Sequence, residues 1–186
     1  MPRLIVFNQV SLDGFISDAN GDMSWAHRPD AEWKAFSEEN ARNQSRLLFG
    51  RITYEMMAGF WPTLQAIQSI PEVAKRMNRL PKVVFSRTLD KASWNNTRLV
   101  KRDLVQEVRS MKREPGPDLV LMGSASIVSQ LAQEALVDEF QIAVNPIVLG
   151  RGKSMFAGVG GRLNLKATRT RTFANGNVLL CYEPSA

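Results

Sequence analysis

The chain has 186 residues, 44% hydrophobic and 23% charged, which suits one soluble globular domain and excludes a collagen, coiled-coil or disordered chain. Its 24 basic and 18 acidic residues leave a net charge of +6, which permits an anionic ligand without naming one. One cysteine, Cys181, and one histidine, His27, exclude an intrachain disulfide, a cysteine-rich zinc site and any two-histidine metal motif. Apolar runs such as Leu4–Phe7 and Leu119–Met122 are far short of the ~18 residues that span a bilayer. The first residues enter a strand-like run without a signal-type apolar region, so a cytoplasmic location is expected.

In chain order, Leu4–Val10 reads as a buried strand and Ser11–Pro29 as a long loop with turn signals at Asp13-Gly14 and Asn20-Gly21. Asp30 is placed to cap a helix running through Asn43, with Trp33 and Phe36 on its inner face. Arg46–Phe49 is a second strand, stopped by Gly50. Thr53 is a candidate N-cap for a helix through Phe60. Ser69-Ile-Pro-Glu72 has the capping-box pattern, which predicts helix over Val73–Asn78. Strands follow at Lys82–Ser86 and Thr97–Val100. Asp103 opens an amphipathic helix with Leu104, Val105, Val108 and Met111 at helical spacing. Leu119–Met122 is a strand, and Gly123 turns it into a helix carrying Ile127, Val128, Leu131 and Ala135. From Phe140 to Val144 the period becomes two. Leu163–Phe173 and Val178–Glu183 read as strands joined by an Asn175-Gly176 hairpin signal. Alternating strands and helices followed by strands alone predict an α/β fold, a mostly parallel sheet with an antiparallel tail. Ligands on such sheets bind at the carboxyl ends of strands.

Three strand-to-helix turns therefore carry the candidate chemistry. In Phe49-Gly50-Arg51-Ile52-Thr53, free N–H groups and the positive helix end favour an anion, and Arg51 adds a fork for phosphate. A cap with a surface arginine fits the same residues. Phe85-Ser86-Arg87-Thr88 offers two hydroxyls and a guanidinium, as an anion site or a solvated turn. Met122-Gly123-Ser124-Ala125-Ser126 is small enough for close backbone approach to a pyrophosphate, or is a tight turn that needs glycine. Asp30, between Trp25 and Trp33, is either a helix cap or a carboxylate in an aromatic pocket that pairs with a heterocycle or delivers a proton.

The order of these motifs resembles the dihydrofolate reductase-like superfamily, most closely the reductase domain of the bifunctional riboflavin-biosynthesis deaminase–reductase. The resemblance runs nearly end to end. It rests on Val10–Ile16, Phe49–Glu55, Val84–Arg87, Leu121–Ala125 and Asn145–Phe156, short stretches whose order and spacing are specific together. It implies a twisted, mostly parallel central sheet flanked by helices, with a C-terminal antiparallel hairpin, and NADPH as cofactor. By the resemblance, Gly50, Arg51 and Thr53 hold the pyrophosphate side. Ser86 and Arg87 meet the adenosine 2′-phosphate, favouring NADP over NAD. Gly123, Ser124, Ala125 and Ser126 cradle the diphosphate near the nicotinamide. Phe7, Val10, Ser11, Ile16 and Trp25 line the nicotinamide or substrate pocket. Asp30 stands where dihydrofolate reductases place their substrate carboxylate, and either it or an ordered water supplies a proton. The Gly150–Phe156 stretch fits the riboflavin-type reductases better than the folate enzymes. One histidine and one cysteine cannot build the deaminase's zinc site, so a free-standing reductase domain is expected, and the resemblance also implies a homodimer.

The implied reaction is hydride transfer from NADPH to a C=N or C=O carbon of a small pyrimidine-, pteridine- or flavin-related heterocycle. One rival is a nucleotide-binding regulatory module that has lost turnover. Another is a basic nucleic-acid-binding protein, because Arg151, Lys153, Arg162, Lys166, Arg169 and Arg171 occur between Phe140 and Tyr182 with no acidic residue. That stretch lacks the interleaved aromatics of a base-stacking surface.

Overall fold

The computed structural model describes residues 1–28, 30–40 and 43–185. In chain order it contains β1 (Leu4–Ser11), β2 (Phe15–Ser17), a 3-10 turn (Ser24–Ala26), α1 (Ala31–Asn40), β3 (Ser45–Gly50), α2 (Arg51–Phe60) and α3 (Leu64–Ser69). Then come α4 (Pro71–Arg79), β4 (Lys82–Phe85), β5 (Thr97–Val100), α5 (Leu104–Arg113), β6 (Asp118–Met122) and α6 (Ala125–Gln133). The last strands are β7 (Glu139–Asn145), β8 (Lys153–Ser154), β9 (Leu165–Thr172) and β10 (Val178–Pro184).

Eight strands form one sheet in the order β5-β4-β3-β6-β1-β7-β10-β9. All neighbours through β7 are parallel, and β10 runs antiparallel to both β7 and β9. The expected α/β sheet with an antiparallel tail is therefore present. Its central strands are apolar on both sides, as a sheet covered on both faces requires. Leu48, Leu121 and Val6 pack with Val108, Ile127, Val128 and Leu131 of α5 and α6. Leu47, Phe49 and Val84 pack on the opposite face with Tyr54 of α2 and Met77 of α4. Further along the sheet, Phe36 of α1 covers Ala143, Leu179 and Cys181. Among the described residues, no helix is long and apolar enough to cross a membrane.

Several elements depart from the sequence reading. The 11–29 stretch is not loop throughout: β2 pairs antiparallel with β8, Phe15 opposite Ser154. Pro29 itself, and residues 41–42 within the helix expected through Asn43, lie outside the described residues. α2 starts two residues before the expected cap, so Gly50 is the N-cap and Thr53 lies inside the helix. Ser69 does not open a capping box. It ends the additional helix α3, which Thr63 caps by accepting the Ala66 N–H, and α4 starts at Pro71 with no side-chain cap. Proline suits that position because its missing N–H has no intrahelical partner there. α6 stops at Gln133, and Ala135 sits past it in a left-handed conformation. Asp103 caps α5 as its sequence suggests, accepting the Gln106 N–H at 2.8 Å.

One buried cation lies at the amino end of β4, the strand beside the edge strand β5. Lys82 is 1% exposed, and its Nζ donates to the Leu80 carbonyl at 2.6 Å and the Asn78 carbonyl at 3.2 Å. It also lies 4.5 Å from the Trp94 ring centre. The carbonyls and the ring favour the charged form, but burial outweighs them and lowers the Lys82 ammonium to about 8. The unfolded chain then binds more protons than the folded one between about pH 8 and 10.5, so this group makes stability rise with pH across that window. Denaturant titrations of wild type and Lys82→Met should diverge there, the wild type gaining up to about 1.4 kcal/mol per pH unit relative to the variant.

Candidate active site

The carboxyl ends of β1, β3, β4, β5 and β6 open into one cleft of about 750 Å³. That size lies within the range of small-molecule and cofactor sites. β3 and β6 are direct neighbours, with Leu48 opposite Leu121, so the turns that follow them lie side by side. Each turn starts a helix, and the first N–H groups of a helix have no intrahelical partner. The two helix starts are tied together by one hydroxyl. Ser124 Oγ accepts the Gly50 N–H at 2.8 Å and lies 3.2 Å from Thr53 Oγ1.

Ser124 does not cap its own helix α6 and holds a left-handed backbone at φ +57. A non-glycine residue there is uncommon and costs free energy. The crossed bonds to Gly50 and Thr53 compensate. Both glycines are needed for this closeness. A Cβ on Gly50 would meet Ser124 Oγ at 2.6 Å, and one on Gly123, itself at φ +66, would meet Thr53 Oγ1 at 2.5 Å.

At the rim, Arg51 Nη1 donates to Thr88 Oγ1 at 3.1 Å, which brings the start of α2 against the Ser86-Arg87-Thr88 turn. Ser86 Oγ is engaged in that turn, accepting the Leu89 N–H at 2.9 Å. Arg87 is exposed and has no carboxylate partner among the described residues. Arg102 also lines the cleft but is held back by Glu107. Burial raises the Glu107 carboxyl, yet hydrogen bonds and charge from Arg98 and Arg102 outweigh that and lower it. The opposite end of the cleft carries Phe7, Gln9, Ile16, Ser17, Met23 and Lys153.

The predicted site residues divide accordingly. Gly50, Arg51, Thr53, Ser86, Arg87, Gly123, Ser124 and Ser126 share the cleft with Phe7 and Ile16. Val10 does not line it, because it points into the core below, beside Val6 and Ile142. Ser11 is buried and its hydroxyl accepts the Phe15 N–H at 3.0 Å. Trp25 is turned to its own loop, its Nε1 donating to the Asp22 carbonyl. Ala125 is buried at the first turn of α6, off the cleft lining.

Asp30 is off the cleft as well. Its carboxylate accepts the Trp33 N–H at 2.8 Å and opens α1, the cap reading of that residue. Asp30→Ala should cost about 1 kcal/mol of stability in a urea titration while leaving ligand affinity in the cleft unchanged.

The 10–16 and 145–156 stretches have a structural explanation. Asp13 accepts the N–H groups of Leu149 at 3.1 Å and Gly150 at 2.7 Å. The Ser11 hydroxyl and these two N–H groups hold its carboxyl below the usual range. That clamp seats β2 beside β8 and places Lys153 on the cleft. The cleft also takes residues that sequence reasoning does not assign to it, among them Asn8, Gln9, Ser17, Met23, Arg102 and Lys153. Asn8 and Gln9 carry a signal, a pair of amides inside an otherwise apolar strand.

A family model described as the RibD C-terminal domain matches residues 2–179. Uncharacterized protein YyaP of Bacillus subtilis (strain 168) is 34% identical over 182 residues, covering 97% of this chain and 94% of that protein. The diaminohydroxyphosphoribosylaminopyrimidine deaminase/5-amino-6-(5-phosphoribosylamino)uracil reductase of Thermotoga maritima superposes with a TM-score of 0.69 at 16% identity, over 99% of this chain and 57% of that one. Dihydrofolate reductase from Enterococcus faecalis, complexed with NADP(H) and RAB-propyl, superposes with a TM-score of 0.67 at 14% identity, over 99% and 97%. The two superpositions establish a dihydrofolate reductase-like fold. With the family match running from β1 to the start of β10, the chain belongs to the RibD C-terminal domain family.

Proposed function

We propose that the protein is an NADPH-dependent reductase that passes a hydride to a small pyrimidine-, pteridine- or flavin-related heterocycle. The observation that carries this reading is the pair of helix starts, α2 and α6, tied side by side by Ser124 with two arginines at the rim. Convergent N–H groups, positive helix ends and guanidinium forks suit a dinucleotide diphosphate with a further phosphate. Family membership and the reductase and NADP(H) named for the two structural relatives support the same class.

When bound, NADPH supplies the hydride. The chain's own residues bind and orient. Gly50, Arg51 and Thr53 take one side of the diphosphate, and Gly123, Ser124 and the N–H group of Ser126 take the other. Arg87, next to Ser86, takes the adenosine 2′-phosphate. Phe7, Ile16 and Met23 give the substrate end an apolar wall that excludes water from the transfer. Asp103 is the one carboxylate on the cleft among the described residues, and it is spent capping α5. The proton therefore comes from water rather than from Asp30. The homodimer implied by the family resemblance and the cytoplasmic location expected from the sequence belong to this reading too, and sedimentation of the full chain tests the first.

The absence of a free carboxylate at the substrate end, among the described residues, also favours a second reading, a nucleotide-binding module without turnover. Loss of dihydronicotinamide absorbance with a panel of reducible pyrimidines, pterins and dihydrofolate separates the two. Turnover of any of these supports the reductase. Saturable NADPH binding with none turned over supports the module, and no NADPH binding contradicts both.

A further inference from the structure

Asn8 occupies an inward position of β1 between Val6 and Val10, and is 4% exposed. An amide at such a position is costly unless its groups are paired. Its Oδ1 accepts the Gly123 N–H at 2.6 Å. A backbone N–H only donates, so the atom facing it must be the amide oxygen, and the orientation of the group is fixed. The amide NH2 is then left over. Nδ2 is buried and has no partner among the described residues, although Asn8 lines the cleft. The other buried polar atoms in that condition, on Arg76, Asn145 and Asn177, lie on residues that do not line the cleft.

We propose that Asn8 is a specificity-determining donor whose Nδ2 binds the carboxamide oxygen of the nicotinamide ring; this rests on the NADPH reading above. Asn8 is one hydrogen bond from the turn that opens α6, and Arg87 lies across the cleft mouth on the β4 side. The part of an extended dinucleotide that meets Asn8 is therefore the nicotinamide side of the diphosphate. There the carboxamide oxygen is a pure acceptor and complements a pure donor. Such a bond fixes the rotation of the ring and so the face that it offers to a substrate.

The test is calorimetric titration of the full chain with NADPH and with 2′-phospho-ADP-ribose, which keeps the phosphates and both riboses but has no nicotinamide. Asn8→Asp preserves the acceptor for Gly123 and removes the donor, and Asn8→Ala removes both. In each variant NADPH should weaken by about tenfold or more beyond any change in 2′-phospho-ADP-ribose, which carries the same phosphates past the altered side chain. Equal effects on the two ligands, whether both retained or both weakened, overturn the proposal, since a purely structural role or a ribose contact moves them together. If neither variant folds, the wild type decides. It should bind the thionicotinamide analogue of NADP⁺, whose sulfur is a weak acceptor, less tightly than NADP⁺, and equal affinity overturns the proposal. A wild type that binds neither dinucleotide sinks the cofactor reading itself, a distinguishable failure.

Discussion

Replacing Gly123 by alanine will both destabilise the fold and remove the dinucleotide affinity of the cleft. The backbone there is left-handed, at φ +66, which costs an L-residue about 1–2 kcal/mol. The new Cβ would also stand 2.5 Å from Thr53 Oγ1 and 2.8 Å from its Cγ2. Thr53 cannot swing aside freely, because it is β-branched, buried and held to Ser124. Overpacking of this kind adds about 1–3 kcal/mol. Any relief comes from moving α2 away from α6, which separates the two sets of N–H groups on which the proposed diphosphate site rests. NADPH affinity should fall by at least about tenfold, the worth of one charge-assisted hydrogen bond. Thr53→Ala on the same background removes the two nearest atoms and leaves only the Thr53 Cβ at 3.2 Å, so it should recover part of the lost stability in a urea titration. A double variant no more stable than Gly123→Ala alone would show that the clash is not the cause.

Arg87→Ala should separate the two nicotinamide cofactors. Arg87 follows Ser86 at the end of β4, is exposed and carries no carboxylate partner among the described residues. Its neighbour Thr88 is already bonded to Arg51. A phosphate monoester at that turn would be flanked by two guanidiniums, and NADH lacks that group. The variant should lose about ten- to a hundredfold in NADPH affinity and stay within about twofold for NADH. Because the site is at the surface, the NADPH loss should shrink as salt is raised. Equal losses for both cofactors, measured by competition titration, would remove Arg87 from the 2′-phosphate.

Much of this arrangement could be read from residues whose local chemistry agrees with the fold. Asp103 before an amphipathic run, Gly50 and Gly123 after apolar strands, and the change of period at Phe140 each mark what the structure contains. The misreadings share a cause, competition between local signals and non-local packing. Thr53 looks like a cap, but the neighbouring turn claims its hydroxyl, and Gly50 opens the helix instead. Ser69 fits a capping box that α3 overruns. The strands β2 and β8 are three and two residues long and exist through pairing over more than 130 positions, which no short window of sequence reports. Val10 and Ser11 sit beside true cleft residues, yet the alternation of β1 turns Val10 into the core. Asp30 reads from the sequence as either cap or acid, and its bond to Trp33 fits the cap.

Calorimetric titration of NADPH into the full chain, with 2′-phospho-ADP-ribose as competitor, addresses the cleft most directly. Saturable binding of one NADPH per chain, displaced by the competitor and lost in Gly123→Ala, is the predicted outcome. No saturable heat up to millimolar NADPH, or binding that Gly123→Ala and Arg87→Ala both leave intact, would place the cofactor elsewhere or nowhere on this protein.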